Sequence, residues 1–264
     1  MFYHLIFYQR LLCAVLTTTI FLLFHINGPA QSADRSKTLE EIASLRKQLS
    51  EKEKLLLLPS TEDLAIYAEF LKQPNTGLIR LLPRKLFGNR LTISGGGASY
   101  SFSRLSHESG YGYDIHLNSE NNYYDSEYVA PTIEDYIFAV GASGNNYGYM
   151  TALGNVPLEK VTLDHDAVKF LLAYNPPSSI KDVRAEQQRV LKRGMVKNGH
   201  LSKTEAPATP NFTYVLRSIN FGFSDVIIAF RYVRTEKDGG VVILWKMLKQ
   251  LPKPELLRPE TRRS

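Results

Sequence analysis

The sequence predicts an α+β domain: mainly antiparallel β-sheet with a few packed helices, entered through an apolar leader and a short helical stalk. Three observations predict it. Strand-like runs outnumber helix-like ones, and several neighbouring runs are joined by short turns, which favours antiparallel pairing. The chain has 264 residues, enough to bury roughly seven-tenths of its unfolded surface without a covalent staple. Its single cysteine, Cys13, lies in the N-terminal apolar run. The body beyond it therefore cannot use disulfides, thiol catalysis or cysteine-bound zinc.

Taken in order, Leu11–Phe24 is an unbroken apolar run preceded by Arg10 and followed by small residues at Gly28, Ala30 and Ala33. A cationic start, a short apolar core and a small-residue exit describe a secretory signal peptide. A retained membrane anchor reading from Phe2 to Ile26 is the alternative, with Gln9 and Arg10 inside it. Residues 1–33 are assigned to this leader, which places the body in an extracytoplasmic setting: secreted, periplasmic, or tethered to the cell envelope and facing outward. Residues 36–58 read as a helical stalk. Ile42, Leu45, Leu49 and Leu56 fit a coiled-coil seam that Lys52 interrupts, so 36–58 is also where a homo-oligomer would form.

Pro59 ends the stalk, and Ser60–Asp63 matches a capping box for a short helix carrying Leu64, Tyr67, Ala68 and Leu71. The globular domain is expected over 59–251. Leu78–Leu82 and Leu91–Ser94 read as strands. Ser99–Leu105 and Tyr113–Leu117 alternate large with polar residues and read as an antiparallel hairpin. Gly95-Gly96-Gly97 before it marks a bend or a close backbone approach. A phosphate cradle is the competing reading, but no lysine and no helix follow the glycines. Asn118–Pro131 is a long polar loop. Asp135–Ala142 and Tyr147–Leu153 are strands around a turn at Gly144-Asn145-Asn146. A helix capped by Thr162 or Asp164 runs to Tyr174. Ser178–Gly194 is a second helix, polar nearly all round and so expected to be exposed or poorly ordered. Lys197–Asn211 reads as a loop and Phe212–Ile219 as a strand. Asp225–Arg234 and Val241–Lys249 form a hairpin whose unbroken apolar runs require burial on both faces. Residues 252–264 read as a disordered tail.

Four patterns are candidates for function. His107, Glu108, Asp114 and His116 offer an acid–base or metal site, because Asp114 and His116 lie two apart on one strand and the hairpin can bring the other two near. This is the hydrolase reading; its competitor is ordinary solvation of polar residues on an open strand face. Ser94 beside the glycines, with His107 or His165 and Asp114 or Asp164, offers a serine triad, but the Gly-x-Ser-x-Gly elbow is absent. Asp164-His165-Asp166 reads better as the acidic first turn of a helix. Nine of the fifteen tyrosines fall between Tyr100 and Tyr149, mixed with Asn, Ser and Gly. That mixture suits a binding surface. Tyr123, Tyr124 and Tyr128, in the long loop, are its expected contact residues; the others fit half-buried strand positions equally well.

The net charge is +6, and +5 without the first thirty residues, which contain one formal charge, Arg10. That favours envelope glycan, an anionic surface or an acidic protein as partner. Lys181–Lys203 concentrates seven basic residues against two acidic ones, a solvated face or an anion contact. Asn211-Phe212-Thr213 is a glycosylation sequon. No nucleic-acid motif is present, and no cofactor or metal is expected. The sequence therefore favours an exported, non-catalytic binding domain, with the secreted hydrolase as the alternative.

Overall fold

The computed structural model describes residues 28–88, 90–107, 112–119, 136–142, 144–197 and 200–257. Residues 1–27 of the leader, the tyrosines Tyr123, Tyr124 and Tyr128, and Glu108 lie outside the described residues, while residues 28–33, expected as the end of the leader, already belong to a helix. Two compact units meet between Lys52 and Glu53. The first contributes most of helix α1 (Gly28–Leu56), whose residues from 34 to 49 are all exposed.

The second unit is α+β with antiparallel sheets, as expected from the short turns. After α1 come α2 (Thr61–Ile66), α3 (Ala68–Leu71), β1 (Thr76–Leu81) and α4 (Arg84–Phe87). Then follow β2 (Ser99–Tyr100), β3 (Ile115–Ser119), β4 (Tyr136–Val140), β5 (Tyr147–Gly154), α5 (Asp166–Leu172) and α6 (Ile180–Arg193). The chain continues with β6 (Met195–Lys197), β7 (His200–Ser202), β8 (Glu205–Pro207), β9 (Thr213–Asn220), β10 (Ser224–Thr235) and β11 (Val241–Leu251). One sheet has the order β1-β11-β10-β9-β5, a second has β2-β3-β4-β8, and β6 with β7 forms a separate hairpin.

The unit has three layers, and the five-stranded sheet is the middle one. Along β10, Val226, Ile228, Phe230 and Tyr232 face the four-stranded sheet and pack with Tyr100, Phe102, Ile115, Leu117 and Phe138. Ile227 and Ala229 face the other way, into a core with Val168 and Leu171 of α5 and Val183 and Val190 of α6. Burial on both faces explains the unbroken apolar run in this hairpin, and β10 is the central strand.

Several segments depart from the sequence reading for local reasons. Leu91–Ser94 is not a strand. The Glu53 carboxylate accepts from Thr92 N at 2.7 Å, Thr92 Oγ1 at 2.6 Å and Ile93 N at 3.1 Å, so a side chain takes donors that a ladder would need. Ser99–Leu105 keeps its strand only through Tyr100. Beyond it a tight loop is closed by the Ser101–Ser106 bridge. The helix ending at Arg193 is packed, not poorly ordered. Val183, Gln187 and Val190 are buried at helical spacing, and Gln187 Nε2 donates to Ala142 O at 3.0 Å and Asn146 O at 2.8 Å. A glutamine fully used in this way occupies an inward position that its polarity disguises. Within 197–211 the expected loop holds the short strands β7 and β8. Of the tail, residues up to 257 are described: Gly222 N donates to Pro254 O at 2.9 Å and Leu257 N to Ser178 O at 2.9 Å.

Candidate functional site

The stretch from Ile93 to Leu117 brings the sequence candidates together in space, but not onto one point. Gly95, Gly96 and Gly97 all have left-handed backbone, with φ of 74°, 64° and 79°, and wind a single 3-10 turn. Only glycine takes three such conformations in succession without strain. The turn also lies against α4: a Cβ on Gly96 would stand 2.6 Å from the Phe87 backbone. The triplet is therefore the bend expected of it, placed before a strand. Gly96→Ala is expected to destabilise the domain by about 2 kcal/mol or more, from backbone strain plus the clash. Thermal melting of the variant checks this.

Immediately after the turn, Ser99 and His116 are paired across β2 and β3. Ser99 Oγ lies 2.7 Å from His116 Nδ1, and the two residues are only 3% and 7% exposed. Burial, aided by the positive charge of Arg84, pushes the His116 imidazole down to about 4. The ring is thus neutral at physiological pH. Tyr113 packs against it, ring centroids 5.6 Å apart. His107 Nδ1 lies 3.1 Å from Ser99 O, with its ring edge-on to Tyr100. Burial lowers His107 to about 4 as well, against backbone hydrogen bonds to Ser99 and Gly97 that act the other way.

Asp114 serves a different group of partners. Its carboxylate accepts from Phe102 N at 2.7 Å, from Ser101 Oγ at 3.3 Å and from Asn220 Nδ2 at 2.8 Å. Asn220 sits on β9 of the other sheet, so the carboxylate clasps the 101–106 loop and the two sheets together. Desolvation raises its pKa, and the hydrogen bonds from Ser218, Phe102, Ser103 and Ser101 act against that rise. A carboxylate this fully engaged is a framework element.

Chemically, a hydroxyl touching a neutral imidazole is the first half of a nucleophile–base pair. A third group to orient the imidazole and an opening to solvent are the other requirements. Asp114 does not orient His116, because its oxygens bond elsewhere, and both members of the pair are buried. Among the described residues no three His, Cys, Asp or Glu side chains are placed to hold a metal ion. The other serine-triad candidates separate too. His165, not Thr162 or Asp164, caps α5, its Nδ1 accepting from Ala167 N at 3.3 Å, and of the three residues read as an acidic first turn only Asp166 lies in it.

Of the described tyrosines in the dense zone, Tyr100, Tyr136, Tyr147 and Tyr149 are core residues, which is the half-buried strand explanation. The sequence reading missed the β6–β7 hairpin, which carries exposed aliphatic side chains. The dipeptide Asn198-Gly199, a strong hairpin signal between short apolar stretches, marks it in the sequence. Comparison with family models, with curated proteins and with solved structures finds no match.

Proposed function

We propose that this chain is an exported, non-catalytic interaction domain, carried on α1 and acting by surface contact at the cell envelope. The supporting observation is the engagement of the groups that chemistry would require. Asp114 accepts from Phe102 N and Asn220 Nδ2, and His116 is sealed against Ser99. The leader over 1–33 supplies the export expectation, and no described helix is long and apolar enough to cross a membrane. The contact residues are Tyr123, Tyr124 and Tyr128, with envelope glycan, an anionic surface or a protein as partner. Two copies associate through 36–58, where Ile42, Leu45 and Leu49 are exposed along α1.

The test is retention of the purified chain on cell-envelope extract. Tyr123→Ala with Tyr124→Ala is expected to weaken retention at least tenfold, since aromatic anchors dominate such contacts. Unchanged retention removes this site assignment. The alternative, a secreted hydrolase built on His107, Glu108, Asp114 and His116, is favoured by one contact, Ser99 Oγ on His116 Nδ1 at 2.7 Å. Metal analysis and activity of His116→Ala decide it: metal-free protein with unaltered activity excludes the metal version.

A further inference from the structure

The β6–β7 hairpin presents its side chains in an unusual way. Met195 and Ser202 form one cross-strand pair, and Val196 and Leu201 the next. Successive residues of a strand point to opposite faces. Met195 and Ser202 accordingly point inward, at 8% and 0% exposure, while Val196 and Leu201 stand outward at 72% and 46%. Two adjacent aliphatic side chains on the open face of a two-stranded hairpin gain nothing from the fold they sit on. Leu191, near the end of α6, is 44% exposed as well.

The end of α6 and the hairpin form one surface. Gly194 ends the helix with φ of +62°, and a Cβ there would stand 2.5 Å from Ser202 O and 3.4 Å from Leu201 Cδ1. Along the segment that carries the aliphatic group the charge has one sign. From Leu191 to Lys203 the sequence contains Lys192, Arg193, Lys197 and Lys203 and no acidic residue. Lys192, Arg193 and Lys203 are exposed. Leu201 lines an open groove of about 330 Å³ with Met150, Ala152, Ala206 and Pro207, to which Lys203 and the acidic Glu205 also contribute.

We propose that this surface docks onto a lipid bilayer bearing anionic headgroups, with Val196 and Leu201 entering the acyl boundary and Lys192, Arg193 and Lys203 meeting the phosphates. Aliphatic side chains set among cations match the two layers of such an interface, apolar below and negative above. A polyanion in solution would use the cations and leave the aliphatic pair in water. Each cation near an anionic surface strengthens partitioning about fivefold. The contact is therefore reversible and sensitive to salt. It is independent of the tyrosine segment, so Tyr123→Ala with Tyr124→Ala leaves it unchanged.

The experiment uses the full chain with Cys13→Ser and a polarity-sensitive fluorophore on Val196→Cys, which reports on the hairpin whatever the leader does. The control carries the label on Lys237→Cys, in the β10–β11 turn. With phosphatidylglycerol–phosphatidylcholine vesicles the Val196→Cys label is expected to shift to the blue, and the control label to stay put. Pure phosphatidylcholine vesicles are expected to give no shift. Lys192→Glu, Arg193→Glu and Lys203→Glu together are expected to weaken the response at least about a hundredfold, as three cations at about fivefold each require. In unlabelled protein, Leu201→Ser with Val196→Ser is expected to reduce co-sedimentation while thermal melting stays unchanged. A silent label on anionic vesicles overturns the proposal, as does an equal shift at the control position. Tight binding of a soluble polyanion such as heparin without a vesicle response assigns the cations to that ligand, and also overturns it.

Discussion

Arg217→Ala is expected to destabilise the globular domain by about 3–5 kcal/mol, the penalty for breaking a buried ion pair from one side. Arg217 and Asp225 are both buried on the helix-facing side of the β9–β10 hairpin, the arginine 3% exposed. Nε donates to Asp225 Oδ1 at 2.8 Å and Nη2 to Asp225 Oδ2 at 2.6 Å, a two-pronged contact. The remaining terminal nitrogen, Nη1, donates to Leu171 O and Tyr174 O, each at 2.6 Å. These carbonyls lie at the C-terminal end of α5, where the helix leaves acceptors unsatisfied and a cation is favoured. One guanidinium thus binds the hairpin to the helix layer. Truncation leaves a carboxylate and two carbonyls buried without it. A domain of this size loses about 2–4 °C of melting temperature per kcal/mol, so the midpoint should fall by about 6–20 °C. Arg217→Met with Asp225→Leu should recover much of the loss, because it removes both charges and keeps the volume. Urea unfolding of the three proteins checks this. A loss under about 1 kcal/mol for Arg217→Ala would show that the pair does not hold the layers.

The same hairpin shows what the sequence makes legible. An apolar run on β10 that admits no polar alternate can only be a strand covered on both faces, and the strand is central. Ser179 and Gly194 bracket α6 as cap and stop, so its ends were readable. Its burial was not, because Gln187 looks like a surface residue until Ala142 and Asn146 are known to meet it. The candidate site divides in the same way. The glycine bend follows from local pattern; the pairing of Ser99 with His116 does not, because the expected strand Ser99–Leu105 ends at Tyr100 and the Ser101–Ser106 loop resets the register. The fate of Asp114 depends on Asn220, 106 residues along the chain, and no local periodicity encodes that partner. Likewise Glu53 takes the amides of Thr92 and Ile93, which turned an apparent strand into a loop. Long-range hydrogen bonds of single side chains, to backbone acceptors for Gln187, to a side-chain amide for Asp114 and to backbone donors for Glu53, are the common reason for these departures.

Acidification should destabilise the domain above the ordinary carboxylate range, through its two buried imidazoles. The imidazoles of His107 and His116 are held down to about 4 in the folded chain, against roughly 6.5 when unfolded. A depressed folded value means that the unfolded chain binds the extra proton first. Stability from this source is complete above about pH 6.5 and is lost as pH falls towards 4. For His116, 7% exposed, the loss amounts to about 3 kcal/mol across that window. His107 is only half-buried and contributes less. Asp114 works in the opposite direction. Its raised value returns some stability once the pH is low enough to protonate it. Glu53 and Asp238, whose values are lowered, contribute stability above the ordinary carboxylate range and lose it only as pH falls below about 4.5. Between pH 6.5 and 4.5 the loss of stability therefore belongs to the imidazoles, and Asp114 acts against it. Melting temperatures recorded from pH 7.5 down to 4.5 should decline steadily, and His116→Asn should flatten the decline while keeping a polar partner for Ser99. A melting temperature constant between pH 7 and 5 would mean that these rings reach water in the folded chain. The Ser99–His116 pair would then have the access that the hydrolase reading requires and that its burial argues against.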